Sequence, residues 1–225
     1  MTTRQILLCL IPIAYLIGSI PFGLIVGLAK GVDPRKAGSN NIGATNVGRL
    51  LGGRYFALVF TLDMLKGLIP TAIAAVLLHG ATLTTIDFIF WLLVGFATIA
   101  GHMFSVFLKF KGGKGVATSA GVLLGLFPYF TIPGVVAILM WVILFKATRY
   151  VSVASIGGVG LFPIAYVIVG LARGWPIFRE QLPLLIFAVL VAGLIIYKHR
   201  TNIARLRAGT ENRFDKRGPK MQPEG

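Results

Sequence analysis

The stretch KGVATSAGVLLGLFPYFTIPGVVAILMWVILFKA, residues 114–147, decides how the chain is read. It is too long for one passage through a hydrocarbon core of about 30 Å, which takes about 20 apolar residues, and too apolar for a soluble loop. Pro128 and Pro133 fall near its middle, where a single helix would break. Two short helices, 114–130 and 131–147, joined by a tight external turn, resolve it. Outward from there, the apolar runs 5–29, 54–78, 86–108, 151–172 and 181–198 add five more. The expected fold class is therefore all-α, an integral membrane bundle of about seven transmembrane helices.

Composition agrees. Of 225 residues 56% are apolar and 13% charged, which excludes an ordinary water-soluble globule. Lys and Arg number 22 against 7 Asp and Glu, a net charge of +15 that calls for anionic partners such as lipid headgroups, phosphorylated substrates or nucleic acid. Loops rich in Lys and Arg stay in the cytoplasm. With seven spans, eighteen of the 22 fall on one side, from Lys30 through Lys109, Lys111, Lys114 and Lys146 to the tail, and only Arg4, Arg173 and Arg179 on the other. The amino terminus is thus expected outside, in the periplasm, and the carboxyl terminus in the cytoplasm. A single crossing between 114 and 147 would reverse the tail. The first run lacks a small-residue cleavage pattern and is read as a permanent span. Residues 1–212 form one polytopic membrane domain in this reading, and 213–225 a polar, flexible cytoplasmic tail. Cys9 stands alone, so neither a disulfide framework nor a cysteine metal site is available, and no metal ligation is expected.

Chemistry concentrates in the loops of the basic side. The first, GVDPRKAGSNNIGATNVGRLLGGR (31–54), sets Ser39, Asn41, Gly43, Thr45 and Asn46 around Arg49, whose guanidinium is a bidentate fork for phosphate. A basic loop resting on anionic lipid fits its composition equally, although the cations are spaced among Gly and Asn instead of clustered. The second, KGGKG (111–115), offers Lys111 and Lys114 with Gly112, Gly113 and Gly115, whose backbone can curl around an anion just before a helix begins. Lys114 is followed by Gly115, so the segment is not a Walker A motif, which needs Lys followed by Ser or Thr. A turn with snorkelling lysines is the blander reading.

His102 lies within an expected span and is a candidate base, donor or phosphate ligand. Asp63 and Lys66 share a helix face three residues apart and read as a mutually neutralising structural pair. The end of the last span brings His199, Asn202 and Glu211 to the same basic surface.

Taken together, GSIPFG (18–23), AGSNNIGATNVGR (37–49), DMLKG (63–67), GHMFSVFLKFKGGKGVAT (101–118), RYVSVASI (149–156) and YKHRTNIARLRAGTE (197–211) closely resemble the PlsY family of bacterial acyl-phosphate:glycerol-3-phosphate acyltransferases. The match runs in order over nearly the whole chain. The resemblance implies a multi-pass enzyme of the bacterial inner membrane with its active site at the cytoplasmic face. It would move a fatty acyl group from acyl phosphate to the 1-hydroxyl of glycerol 3-phosphate, giving lysophosphatidic acid and phosphate, the first acylation of phospholipid biosynthesis. By the same resemblance Ser39 and Arg49 are essential in the first segment, 111–115 binds glycerol 3-phosphate, His199 and Asn202 form an activity-linked pair, and Glu211 is more structural than catalytic. Asn40 stands where the family commonly has Gly, and Thr201 where it often has Glu.

The expected machinery is Ser39, Arg49, His102, His199 and Asn202 for catalysis, with Asn41, Gly43, Thr45, Asn46, Lys111, Gly112, Gly113, Lys114, Gly115 and Ser152 binding substrate, and Asp63, Lys66 and Glu211 structural. No cofactor is expected. An acyl phosphate is already activated, so direct transfer in a ternary complex needs positioning, oxyanion stabilisation and proton removal, the proton going to His102, His199 or a substrate phosphate. Partners are the two substrates and membrane lipid, with no nucleic acid and a monomeric state. Thioester-dependent acyltransferases commonly use a His-x-x-x-x-Asp pair. The positions five after His79, His102 and His199 are Thr84, Phe107 and Ala204. The alternative from another class is a membrane transporter of phosphate or organophosphate, which should place polar groups near the bilayer midplane.

Overall fold

The computed structural model describes residues 1–214, in which every element is helical. Helix α1 (Thr3–Ser19) starts in a capping box between Thr2 and Gln5 and stops before Pro21, after which α2 (Phe22–Leu28) continues the apolar run. A polar loop leads to α3 (Ala44–Leu51). Gly52, at φ +98°, turns the chain into α4 (Gly53–Leu77). Helix α5 (Thr85–Met103) begins in a second capping box, Thr84 with Asp87, and the Asp87 carboxylate also receives Arg4 Nε at 2.8 Å, tying the far ends of α1 and α5 together. Then come α6 (Val116–Gly125), α7 (Thr131–Thr148), α8 (Val151–Ala172), α9 (Leu182–Lys198) and α10 (Arg200–Arg207).

The helices pack chiefly as pairs, α1 with α5, α4 with α6 and α7 with α8. Small residues allow the close approach. A Cβ at Gly101 would run into the backbone of α1, and one at Gly121 into the backbone of α4, so either substitution would force its helix pair apart. Around the outside stand large apolar residues such as Val76, Ile168 and Leu190, all more than 60% exposed, as a lipid-facing surface requires.

Among the described residues five helical stretches are long and apolar enough to cross a membrane, or six if α9 and α10, bent by 53°, count as one. The break expected between 114 and 147 is present, with α6 and α7 as separate helices. Helix α6 is nevertheless only ten residues, about 15 Å by the helical rise, shorter than the 114–130 span expected and too short to cross alone. The expected tail also begins differently. Phe214 N donates to Arg149 O at 2.9 Å and its ring meets Phe56 and Phe145, while Arg213 reaches the Tyr150 hydroxyl. Residues 213 and 214 are thus fastened to the bundle, and 215–225 lie outside the described residues.

Candidate active site

One end of the bundle, where the loops before α3 and α6 meet the α9–α10 bend, opens into a cavity of about 520 Å³. Its mouth is polar, lined by Ser39, Asn41, Thr45, Arg49, Lys114, His199, Asn202 and Glu211, and its depth is an apolar slot between α6, α7, α8 and α9. Two helices start at the mouth. Ala44 and Thr45 of α3 and Val116 and Ala117 of α6 line it, so unpaired first-turn amides and two positive dipole ends face one space.

The first loop is built around Asn46, which is 1% exposed. Its Nδ2 donates to Pro34 O, Ala37 O and Asn41 O at 2.8–3.0 Å, and its Oδ1 accepts Ser39 N at 2.8 Å. Its amide hydrogens and one Oδ1 lone pair are engaged within the loop, so Asn46 shapes the site. Asn41 Oδ1 accepts Gly43 N, an Asx turn that leads into α3. Asn40 has φ +57°, a left-handed conformation that Asn tolerates better than other non-glycine residues. The Ser39 hydroxyl makes no hydrogen bond among the described residues. Arg49 donates from Nη2 to Asn212 O at 2.9 Å, while its buried Nε has no partner among the described residues. Burial lowers its pKa, yet a guanidinium stays charged.

In the second loop Gly112 N donates to Met103 O and Gly113 N to His102 O, so these amides fasten the loop to the end of α5 and cannot cradle a phosphate as expected. A Cβ on Gly113 would collide with His102 Nε2, and Gly115, at φ +83°, sits against Met103. Lys111 is exposed and is not among the residues lining the cavity. Lys114 turns inward and donates to Asn202 Oδ1. Burial lowers its ammonium to about 8, with Glu211 resisting and Arg205 and Arg49 adding to the shift.

Asn202 in turn donates to Glu211 Oε1 at 2.6 Å, which also accepts Ser152 Oγ at 2.8 Å, and Arg205 Nε completes the cluster on Oε2. Burial works against the Glu211 charge, but these three donors hold its carboxyl below the ordinary value. The Asn202 side chain thereby bridges Lys114 and Glu211, and the Ser152 hydroxyl donates to the carboxylate. His199 donates from Nδ1 to Ile195 O at 2.8 Å, which leaves Nε2 as the acceptor of a neutral ring with no partner among the described residues.

Lys66 Nζ stands 2.7 Å from Asp63 Oδ1 and donates to Ile20 O, both side chains being nearly fully buried. The pair extends further than the sequence suggested. His102 Nδ1 is 3.6 Å from the same carboxylate, beyond hydrogen-bond range, and both Asp63 and His102 line the cavity. His102 thus lies between Asp63 and Gly113. Sequence reasoning missed Ser119, whose buried Oγ has no partner among the described residues and lines the cavity, and the slot residues Trp141, Phe162 and Phe187, whose apolar character is shared with every lipid-facing position.

Residues 7–209 match the family model described as glycerol-3-phosphate acyltransferase. A glycerol-3-phosphate acyltransferase of Aquifex aeolicus (strain VF5) is 44% identical over 208 residues, covering 92% of this chain and 98% of the relative. One of Trichlorobacter lovleyi is also 44% identical, over 89% and 94%. Among solved structures, the glycerol 3-phosphate form of PlsY (YgiH), an integral membrane glycerol 3-phosphate acyltransferase, superposes with a TM-score of 0.77 at 41% identity, covering 93% of this chain and 96% of that one. Its lysophosphatidic acid form gives 0.75 at 40% identity with the same coverage.

Proposed function

This chain belongs to the glycerol-3-phosphate acyltransferase family, and from that premise we propose that it transfers a fatty acyl group from acyl phosphate to the 1-hydroxyl of glycerol 3-phosphate, releasing lysophosphatidic acid and phosphate. One observation carries the reading: a single cavity joins a mouth holding Arg49, Lys114 and two helix starts to an apolar slot within the bundle. A phosphorylated, fatty substrate fits such a shape along its whole length. A transporter would want its polar groups at mid-depth, whereas here the polar lining gathers at one end.

Arg49 and Lys114 hold the phosphate of glycerol 3-phosphate, and the free amides of α3 with the Ser39 and Thr45 hydroxyls receive the leaving phosphate. The glycerol hydroxyl attacks the acyl carbonyl carbon, the carbon–oxygen bond to phosphate breaks, and the hydroxyl proton passes to His199 Nε2. His102, enclosed between Asp63 and Gly113, supports the loop that carries Lys114. Because phosphate leaves readily, no enzyme nucleophile is required.

The distribution of cations supports seven crossings, with α6 and its following turn as a shortened one, the amino terminus in the periplasm and the mouth at the cytoplasmic face of the inner membrane. The protein works as a monomer in this reading, since one chain supplies every wall of the cavity. The test is a purified-protein assay offering glycerol 3-phosphate with acyl phosphate, acyl-CoA or acyl carrier protein separately. Turnover with acyl phosphate is expected. Turnover only with a thioester overturns the donor, and none with any donor reopens the transporter.

A further inference from the structure

The apolar slot has a floor. Its lining on α8 follows one stripe, Ser152, Ser155, Val159 and Phe162, and on α9 and the bend after it another, His199, Ile195, Ala188 and Phe187. The helical rise places Phe162 about 15 Å below Ser152, and Phe187 about 18 Å below His199, so both stripes stop at a similar depth.

Behind these rings the slot is shut. Phe130, fully buried, meets Phe162 edge to face with centroids 4.9 Å apart, and lies 6.2 Å from Phe187 and 5.3 Å from Tyr166. Tyr166 is itself fixed by its hydroxyl, which donates to Gln181 Oε1 at 3.0 Å. Interlocked aromatic rings of this kind resist displacement. Beside the floor, on α7, Gly134 lines the slot with open space before it: a Cβ there would meet only Leu123, at 3.9 Å.

We propose that Phe162, braced by Phe130 and flanked by Phe187, is the stop that sets the preferred acyl-chain length, and that Gly134 keeps the last segment of the slot open. A chain short of the floor forgoes apolar contact, and a longer one must buckle or leave the slot. Each methylene gained or lost in an apolar site is worth about fourfold in binding. The inference rests on the acyl chain occupying this slot, and holds for any acyl donor.

Competition among saturated donors of graded length in one reaction tests it, because product ratios do not depend on how much enzyme is folded. Phe162→Ala is expected to lengthen the optimum by two or more carbons. Gly134→Leu, which adds a better helix former and fills the open space, is expected to shorten it by a similar amount. Opposite shifts cannot come from a shared folding defect. Profiles superimposing on the parent's in both variants would overturn the stop. If Phe162→Ala does not accumulate, the Gly134→Leu profile alone decides. Ala192→Phe, part-way down the slot, separates the premise from the inference. Loss of long donors with short ones retained places the chain in the slot, and an unchanged profile there removes the premise itself.

Discussion

Raising the pH from 7 to 9 should weaken the binding of glycerol 3-phosphate by about tenfold through the titration of Lys114. Its ammonium has a pKa of about 8 in the free protein. About nine-tenths of it is then charged at pH 7 and about one-tenth at pH 9. Bound phosphate stabilises the charged form and raises that pKa, so binding takes up a proton above pH 8, and KM must rise with pH. On the acid side the substrate phosphate loses its second charge near pH 6, which leaves a flat window of roughly pH 6.5 to 7.5. The assay is KM for glycerol 3-phosphate from pH 6 to 9.5 at constant ionic strength. In Lys114→Gln the amide still reaches Asn202, but KM should be raised throughout and flat above pH 7. Glu211 supports the Lys114 charge, so Glu211→Gln should move the rise to lower pH. A flat parental profile between pH 7 and 9, or the same rise in Lys114→Gln, would refute the reasoning.

Arg49→Lys keeps a charge but loses the planar fork, and should raise KM for glycerol 3-phosphate by about ten- to a hundredfold, measured at pH 7. Gly113→Ala drives a methyl into His102 Nε2 while the Gly113 amide is tied to His102 O, so thermal unfolding in detergent should show a loss of about 1–3 kcal/mol. Asp63→Asn leaves Lys66 buried without its counter-charge at a cost of about 3–5 kcal/mol, and adding Lys66→Met should restore most of the melting temperature. Pre-steady-state turnover should show no burst, and mass spectrometry no acyl group on Ser39; a trapped acyl-Ser39 would rule out direct transfer.

The helices and the polar loops were legible because apolar runs and clusters of Gly, Asn, Lys and Arg announce themselves along the chain. What each loop residue does was less so. Lys111 and Lys114 carry the same charge in one short segment, and only the docking of 112–113 on the end of α5 turns Lys114 inward and leaves Lys111 in solvent. Asn46 resembles its neighbours Asn40 and Asn41 in sequence, yet of the three it alone is buried, its amide tied to the backbone of the loop. The shortness of α6 was hidden because the apolar character of 114–130 runs on through Leu126, Phe127 and Phe130, which fold as a turn under the slot. Phe214 reads as tail, and Asn212 as the last residue before it. Their grip on Arg49, Phe56 and Phe145 depends on contacts between residues far apart in sequence.

The central claim is that both substrates meet in one cavity, phosphate at the mouth and acyl chain in the slot. A structure holding glycerol 3-phosphate with a non-transferable phosphonate analogue of acyl phosphate tests it most directly. The expected result puts the glycerol phosphate within about 3 Å of Arg49 and Lys114, the chain between α6 and α9, and the 1-hydroxyl about 3–3.5 Å from the carbonyl carbon. A chain lying on the outer surface of the bundle, or a carbonyl held against Ser39 with the hydroxyl out of reach, would contradict it.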